Sequence, residues 1–189
     1  NMISQEARRK ESMLKFDRCT RDTFCKYIND TKEDKFAKTF LSKADFQQQW
    51  QYCVGLFEDE DLMGAIITTF SKREPKVANL QLLHTFNKHR RKGVASKLVH
   101  HSINKSMMQK CMYYRVSAEP DAVVFYESIG FKMLGEQKSG CQLSMFRIQS
   151  DDPNEGLYDL RDVVIRKNVY KKGKGGCVRV FDGLQTAAE

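Results

Sequence analysis

The sequence predicts an α/β (α+β) fold built on a mixed, mostly antiparallel central sheet with parallel neighbours in the middle. The first observation is the order of segments, which runs strand, helices, three strands, helix, strand, helix and two strands. The second is the helical periodicity of residues 92–108, where Ala95, Val99, Ile103 and Met107 recur every four positions. The third is the acidic turn at 59–61 between two strand-like segments, which predicts a hairpin.

Runs of apolar and β-branched residues predict strands at 13–19, 52–58, 62–72, 77–86, 111–118, 131–137 and 141–148. Helical spacing predicts helices at 20–30, 31–51, 92–108 and 119–130. Thr20 is the expected N-cap of the first helix, and Gly130 is expected to end the last. Phe36, Phe40 and Leu41 have helical spacing, and Ser42 is expected to cap a further helical piece.

Composition narrows the class of protein. The 189 residues are 41% hydrophobic, which suits one globular domain with a sizeable core. No apolar run reaches the roughly 18 residues that span a membrane, and the N-terminal segment lacks the apolar core of a signal peptide. The six cysteines form no CxxC pair and have no zinc-ligand spacing, so we expect a reduced, cytoplasmic protein without a metal. Asn1, which precedes Met2, is interpreted as a cloning remnant.

The formal net charge of +8 favours an acidic partner, and its distribution is uneven. Residues 75–118 contain nine Lys and Arg and not one Asp or Glu. Residues 161–179 contain seven basic residues opposed by Asp162 alone. The second cluster lies in two strand-like runs, 162–170 and 177–183, separated by "KKGKGG", which is typical of an exposed hairpin turn.

The densest part of the first cluster, "RRKGVA" at 90–95, falls between a predicted strand and a predicted helix. A helix N-terminus leaves backbone N–H groups unpaired and carries partial positive charge, so it binds phosphate. Gly93 and Ala95 are small enough to let a diphosphate approach those N–H groups. On its own this hexapeptide leaves a nucleic-acid surface or a solvated basic turn equally open.

A second segment removes much of that ambiguity. Residues 90–95 resemble the Arg/Gln-x-x-Gly-x-Gly/Ala motif of the GCN5-related N-acetyltransferases, the GNAT superfamily. "EPDAVVFYESIGF" at 119–131 is similar to that family's second signature, although Glu119 stands where the family often has Asn. The resemblance covers residues 13–148 and predicts an acetyltransferase domain there. Outside it, residues 1–12 are interpreted as an N-terminal extension or tag remnant and residues 149–189 as a basic C-terminal extension.

The resemblance implies a fold in which the central parallel strands splay apart and acetyl-CoA lies between them. It implies that backbone groups of the third central strand pair with the pantetheine arm, and that the helix N-terminus and its basic residues hold the phosphates. The residues implied to bind the cofactor are His84, Thr85, Phe86, Arg90, Arg91, Lys92, Gly93, Val94, Ala95, Ser96 and Tyr126.

The implied chemistry is direct attack of an amine on a thioester, which needs a neutral amine and a proton for the departing thiolate. Tyr126 matches the family's frequent general acid, although a core aromatic is the simpler interpretation of its position. His84, Glu119 and Glu58 are candidate bases, and ordered water is the alternative. His100 and His101 are adjacent on a helix and point in different directions, so a metal site there is not expected.

The sequence therefore predicts an acetyl-CoA-dependent N-acetyltransferase that modifies a primary amine. Its acceptor is not readable; a small molecule or a protein is favoured, and a homodimer is possible. Three alternatives stay open: an acyltransferase whose acceptor is carried on nucleic acid, a non-catalytic CoA-binding module, and a nucleic-acid-binding protein without cofactor. The basic segment 161–179 supports the first of these, since binding through phosphates falls steeply with salt.

Overall fold

A computed structural model describes residues 12–28, 31–72, 76–137 and 139–148, and the backbone of four later strands. Its helices are α1 (Arg21–Cys25), α2 (Thr31–Gln47), α3 (Val94–Met108) and α4 (Val123–Ile129). Its strands are β1 (Leu14–Arg18), β2 (Cys53–Glu58), β3 (Asp61–Phe70), β4 (Val77–Thr85), β5 (Tyr113–Ala118), β6 (Lys132–Glu136), β7 (Gln142–Arg147), β8 (Val163–Ile165), β9 (Val169–Gly173), β10 (Gly176–Phe181) and β11 (Leu184–Thr186). Short 3₁₀ turns lie at Trp50–Tyr52, Asn87–His89 and Pro120–Ala122.

The strands confirm the predicted mixed sheet. Its order is β1-β2-β3-β4-β5-β7-β6, followed by β9 and β10. The β1–β2, β2–β3, β5–β7, β6–β7 and β9–β10 pairs are antiparallel. β4 and β5 are parallel, and they pair over Val77–Leu80 and Tyr113–Val116. β4 therefore continues for five residues after its last register partner in β5. β8 and β11 form a separate antiparallel pair.

The chain divides into two compact units, and β3, β4 and α3 each contribute to both. The first unit holds the chain up to Ile67 together with Leu82–Leu98. The second holds Thr68–Gln81 and the chain from Val99 onward.

An aromatic cluster forms the core of the first unit. Phe24 of α1 stacks on Phe40 of α2, with ring centroids 4.6 Å apart and planes 15° apart. Trp50 and Phe86 lie against Phe24 at 5.5 Å and 5.3 Å. Thr20 caps α1 as predicted, because its side chain accepts the N–H of Thr23. These ring contacts pack α1, α2, the 3₁₀ turn at Trp50–Tyr52 and the residue after β4 against one another.

Buried hydroxyls and aromatic rings form the core of the second unit. Thr68, Ser102 and Tyr114 hydrogen-bond to one another, with 2.7 Å between Ser102 Oγ and the Tyr114 hydroxyl. Burial raises the pKa of Tyr114 to about 12. α4 ends as predicted at Gly130, whose φ of 113° provides the left-handed C-cap.

Three details differ from the sequence-based expectation. α2 runs through Ser42 without interruption, so the predicted cap at Ser42 is wrong. Phe36 is 56% exposed although its spacing matches that of buried Phe40. The predicted strand at 162–170 contains β8 and the start of β9, and β9 and β10 extend into the predicted turn at 171–176, where they pair up to Gly173 and Gly176.

Gly64 on β3 lets α3 approach the sheet closely. A Cβ at this position would lie 2.7 Å from the carbonyl oxygen of His84, 2.9 Å from Val94 Cγ1 and 3.2 Å from Leu98 Cδ1. Val94 and Leu98 belong to the first turns of α3 and are buried. The absence of a side chain at Gly64 thus lets the start of α3 pack closely against β3 and β4.

We expect Gly64→Ala to destabilise the fold by about 1–3 kcal/mol, the usual cost of overpacking a filled interior. The nearest atom is a backbone oxygen, which cannot rotate away as a side chain can. Urea unfolding measures the change. A truncation of Val94 in the same variant should recover only part of the loss. Unchanged stability of Gly64→Ala would show that α3 is free to shift.

Candidate active site

The turn between β4 and α3 contains the basic motif and lies in the first unit. Phe86 N–H donates to the carbonyl of Met63, His89 N–H donates to that of Phe86, and Lys97 N–H donates to that of Gly93 in the first helical bond of α3. Because α3 begins at Val94, the N–H groups of Val94, Ala95 and Ser96 precede the first intrahelical donor. The turn therefore presents the anion-binding end of a 15-residue helix.

Two residues of this turn have left-handed backbone conformations. Arg91 has a φ of 62° and Gly93 a φ of 72°. A Cβ built at Gly93 meets no atom within 4 Å, so packing does not require a glycine there. The backbone conformation favours glycine, and the space beside it is open. Both features suit a turn that a bulky anion approaches closely.

The basic side chains of the turn are exposed. They belong to Arg90, Arg91 and Lys92. Within the described part of the chain, none of the three forms an ion pair. The absence of acids from residues 75–118 thus leaves three positive charges without a described carboxylate partner. This is the electrostatic arrangement that a phosphate-rich ligand requires.

His84 lies two residues before Phe86, at the end of β4. It is 6% exposed, and its ring meets Phe86 edge-on at 4.9 Å and Phe24 at 6.2 Å. Burial, with a contribution from the charge of Arg90, lowers the pKa of His84 to about 4. Its imidazole is therefore neutral at physiological pH. His84 Nε2 and Thr85 Oγ1 are buried and have no hydrogen-bond partner in the described structure.

Of the remaining predicted residues, Tyr126 and Glu119 lie in the second unit and Glu58 lies in the first. Tyr126 on α4 is buried, and its ring lies 5.3 Å from Phe131 and 5.0 Å from Phe125. Burial, together with the nearby Tyr114 hydroxyl, raises the pKa of Tyr126, so the phenol stays protonated. Glu119 is exposed at the end of β5. Glu58 is partly buried and lies in the first unit, at the end of β2.

Sequence reasoning missed two residues beside the basic motif, Asp61 and His89, which hydrogen-bond to each other. Asp61 at the start of β3 accepts hydrogen bonds from Lys88 and His89, with distances of 2.8 Å and 3.0 Å. Asp61 is 27 residues from Lys88, so no local pattern connects them. His89 is itself 4% exposed, although the sequence places it in a run of cations.

In the described residues, no group of three His, Cys, Asp or Glu side chains has metal-site geometry. None of the described helices is long and apolar enough to cross a membrane.

The sequence from residue 20 to residue 149 matches the family model of the acetyltransferase (GNAT) domain. Among curated proteins, no sequence matches the chain. Solved structures with the same fold include the PaiA N-acetyltransferase of Thermoplasma acidophilum in complex with coenzyme A. Its TM-score is 0.57 at 13% identity, and the alignment covers 71% of this chain and 99% of that one.

Two further structures extend the comparison. Ard1 from Thermoplasma volcanium aligns with a TM-score of 0.56 at 16% identity, covering 72% of this chain and 99% of that chain. The ribosomal-protein-S18-alanine N-acetyltransferase from Escherichia coli aligns with a TM-score of 0.53 at 16% identity, covering 78% and 100%. At these identities the likeness shows the fold and does not extend to the acceptor.

We expect the buried neutral state of His84 to make stability depend on pH. The unfolded chain binds a proton on this imidazole below about pH 6.5, whereas the folded chain resists it until about pH 4. The free energy of unfolding should therefore fall as the pH drops through this window, by up to roughly 3 kcal/mol from this group. His84→Phe keeps an aromatic ring but cannot titrate, so its pH profile should be flatter.

The matched control is His100→Phe on the exposed face of α3. Urea unfolding at several pH values between 4 and 7 measures both variants against the parent. If the stability of the parent changes with pH no more than that of His84→Phe, the imidazole is not held neutral in the folded state.

Proposed function

We propose that this chain, which belongs to the GNAT acetyltransferase family, transfers the acetyl group of acetyl-CoA to a primary amine by direct attack. The observation that carries the proposal is the turn at Arg90–Gly93. It combines exposed positive charge, open space beside Gly93 and the free N–H groups of a helix N-terminus. In this proposal the N–H groups of residues 91–96 hold the diphosphate, and Arg91 or Lys92 reaches the 3′-phosphate.

The end of β4 supports a place for the pantetheine arm. His84 and Thr85 each have a buried polar atom without a described partner, which a ligand's amides would satisfy. Phe86 differs from them, because its N–H already donates to Met63 and its carbonyl already accepts from His89. We therefore give Phe86 a packing role and leave the backbone pairing that the family resemblance implies to His84 and Thr85, whose unpartnered side-chain atoms offer further hydrogen bonds.

Tyr126 is the proposed general acid. Its position in the second family signature matches that role, and burial, which raises its pKa, keeps a proton on the phenol until the thiolate departs. The raised pKa makes it a weaker acid than a free alkyl thiol, whose pKa is about 8.5. Complete proton transfer from Tyr126 to the thiolate is therefore uphill at equilibrium, so the proposed acid acts through a hydrogen bond to the thiolate that forms as the C–S bond breaks, and the thiol takes its final proton from solvent.

The base is less easily assigned to a side chain. A primary alkyl ammonium group such as that of lysine has a pKa of about 10.4, roughly six units above that of His84. Equilibrium proton transfer to His84 would thus cost about 8–9 kcal/mol. Glu119 is exposed after β5 and Glu58 is partly buried at the end of β2, and both are candidate bases by their place in the fold alone. We therefore propose that the amine loses its proton to water and that neutral His84 acts as a hydrogen-bonding group.

The turn is tested by Gly93→Glu. The new carboxylate would occupy the open space beside residue 93 and repel the diphosphate, so we expect affinity for acetyl-CoA to fall by well over tenfold, about 1.4 kcal/mol or more. Calorimetric titration with acetyl-CoA measures the affinity. Saturating acetyl-CoA, at about 100 times its dissociation constant, should stabilise the parent by roughly 2.7 kcal/mol.

Gly93→Asn is the matched control, since asparagine tolerates a positive φ and adds no charge. It should fold like the parent and lose less affinity than Gly93→Glu. Parent protein that folds but gains no thermal stability from acetyl-CoA would refute the cofactor assignment. Acetyl-CoA binding without transfer to any amine would identify a non-catalytic CoA-binding module.

The acid is tested by Tyr126→Phe, which removes one hydroxyl and keeps the ring among its aromatic neighbours. We expect kcat to fall by about 10²-fold or more, within the usual contribution of a positioned acid. The dissociation constant of acetyl-CoA should stay within a few-fold of the parent value. An unchanged kcat would assign Tyr126 to the core.

A nucleic-acid-borne amine is the second candidate acceptor, and the basic cluster at 161–179 favours it. Lys171 and Lys172 lie on β9, and Lys174 follows that strand. If these side chains neutralise phosphates, changing all three to Gln should weaken tRNA binding and reduce the magnitude of the salt slope by up to about three. Transfer to a small amine should persist. Equal salt slopes for parent and variant would assign the cluster a structural role.

A further inference from the structure

Asp61 at the first position of β3 connects to the basic turn through two hydrogen bonds. Its Oδ2 atom accepts from Lys88 Nζ at 2.8 Å and from His89 Nε2 at 3.0 Å. The two donors have different surroundings, because the Lys88 side chain is 67% exposed and that of His89 is 4% exposed. An exposed ion pair contributes little, so the buried bond to His89 is the stronger restraint.

His89 is the last residue of the 3₁₀ turn Asn87–His89, and the turn Arg90–Gly93 follows it directly. The near end of this 3₁₀ turn is held to β3 by the bond from Phe86 N–H to Met63. Its far end is held to β3 by Asp61 through the imidazole of His89. β3 thus restrains the chain on both sides of the 3₁₀ turn, and Arg90 emerges from a fixed point.

The charge pattern makes this restraint necessary. Residues 88–92 are Lys, His, Arg, Arg and Lys in succession, and mutual repulsion favours an open, fluctuating loop. Among the described residues, Asp61 forms the ion pairs with this run, and Glu58 also interacts with the charge of Lys88. His89 Nδ1 is buried and has no hydrogen-bond partner among the described residues. Within the described structure, the imidazole is therefore held by the bond from Nε2 to Asp61.

We propose that Asp61 and His89 are positioning residues that set the affinity for acetyl-CoA by fixing the turn Arg90–Gly93. The proposal rests on the proposed function, in which this turn holds the diphosphate. Neither residue contacts the reacting atoms. Loss of their hydrogen bond leaves a buried imidazole with both nitrogens unsatisfied, which favours its exit and loosens the turn. The effect is expected on cofactor binding and not on the chemical step.

The test compares Asp61→Leu, which cannot accept a hydrogen bond, with Asp61→Asn, which retains an acceptor oxygen for His89 Nε2–H. We expect Asp61→Leu to raise both the KM and the calorimetric dissociation constant of acetyl-CoA by about tenfold, since small misplacements of a binding group are costly. Its kcat at saturating acetyl-CoA should stay within about twofold of the parent. Asp61→Asn should recover most of the lost affinity.

Lys88→Met is the matched control, because it removes the exposed donor to Asp61 and leaves the buried one in place. Its affinity for acetyl-CoA should stay within about threefold of the parent. If Asp61→Leu does not fold, His89→Phe replaces it, because that variant keeps a buried ring and removes the same hydrogen bond. It should show the same tenfold loss.

The outcomes separate this proposal from the proposed function. A parent that does not bind acetyl-CoA refutes both. A parent that binds, a Gly93→Glu variant that does not, and an Asp61→Leu or His89→Phe variant with parental affinity would overturn the positioning role alone. A fall in kcat with unchanged affinity, or equal losses in Asp61→Leu and Asp61→Asn, would overturn it as well.

Discussion

The missing side chain at Gly64 is the constraint on which the candidate site depends. Because no Cβ projects there, the first turns of α3 pack directly over β3, and Val94 and Leu98 are buried against it. The helix N-terminus is thereby fixed next to the end of β4. The chain has only residues 86–93 in which to leave β4 and enter α3. Within this connection Arg91 and Gly93 adopt left-handed conformations directly before α3.

Electrostatics adds a second requirement to this geometry. A connection rich in Lys and Arg binds phosphate only if its charges stay exposed and its backbone stays in place, and mutual repulsion works against the second condition. Among the described residues, the carboxylate in direct contact with this run is that of Asp61, which comes from β3. Asp61 contacts the first two members of the run, Lys88 and His89, and the following three basic residues stay exposed.

Much of the fold follows from local sequence patterns, and much of the site does not. Thr20 and Gly130 were readable as helix ends because capping depends on a few adjacent residues. The parallel middle pair was predicted from the alternation of strands and helices. Ser42 misled because its hydroxyl suits a cap, yet α2 continues through it.

The other features that the sequence did not reveal depend on tertiary contacts between residues far apart in the chain. Phe36 and Phe40 share the same periodicity, but only Phe40 reaches the ring of Phe24. Gly64 carries no pattern that marks it as a contact point, and the bond between Asp61 and His89 joins residues 28 positions apart.

The two buried candidate groups show why the chemistry has to be argued from magnitudes. Burial lowers the pKa of His84 and raises that of Tyr126, so both are uncharged near neutral pH. These are the protonation states that acyl transfer to an amine needs, with a proton held for the thiolate and none on the imidazole. The same shifts would arise in any apolar core, so their direction does not by itself distinguish catalysis from packing. The size of the shift does decide one point, since an imidazole with a pKa near 4 is too weak to deprotonate an alkyl ammonium group at equilibrium. In the proposed mechanism, which takes water as the base instead of Glu58 or Glu119, solvent exchange supplies the neutral acceptor amine, and the rate should rise with pH toward the pKa of the acceptor.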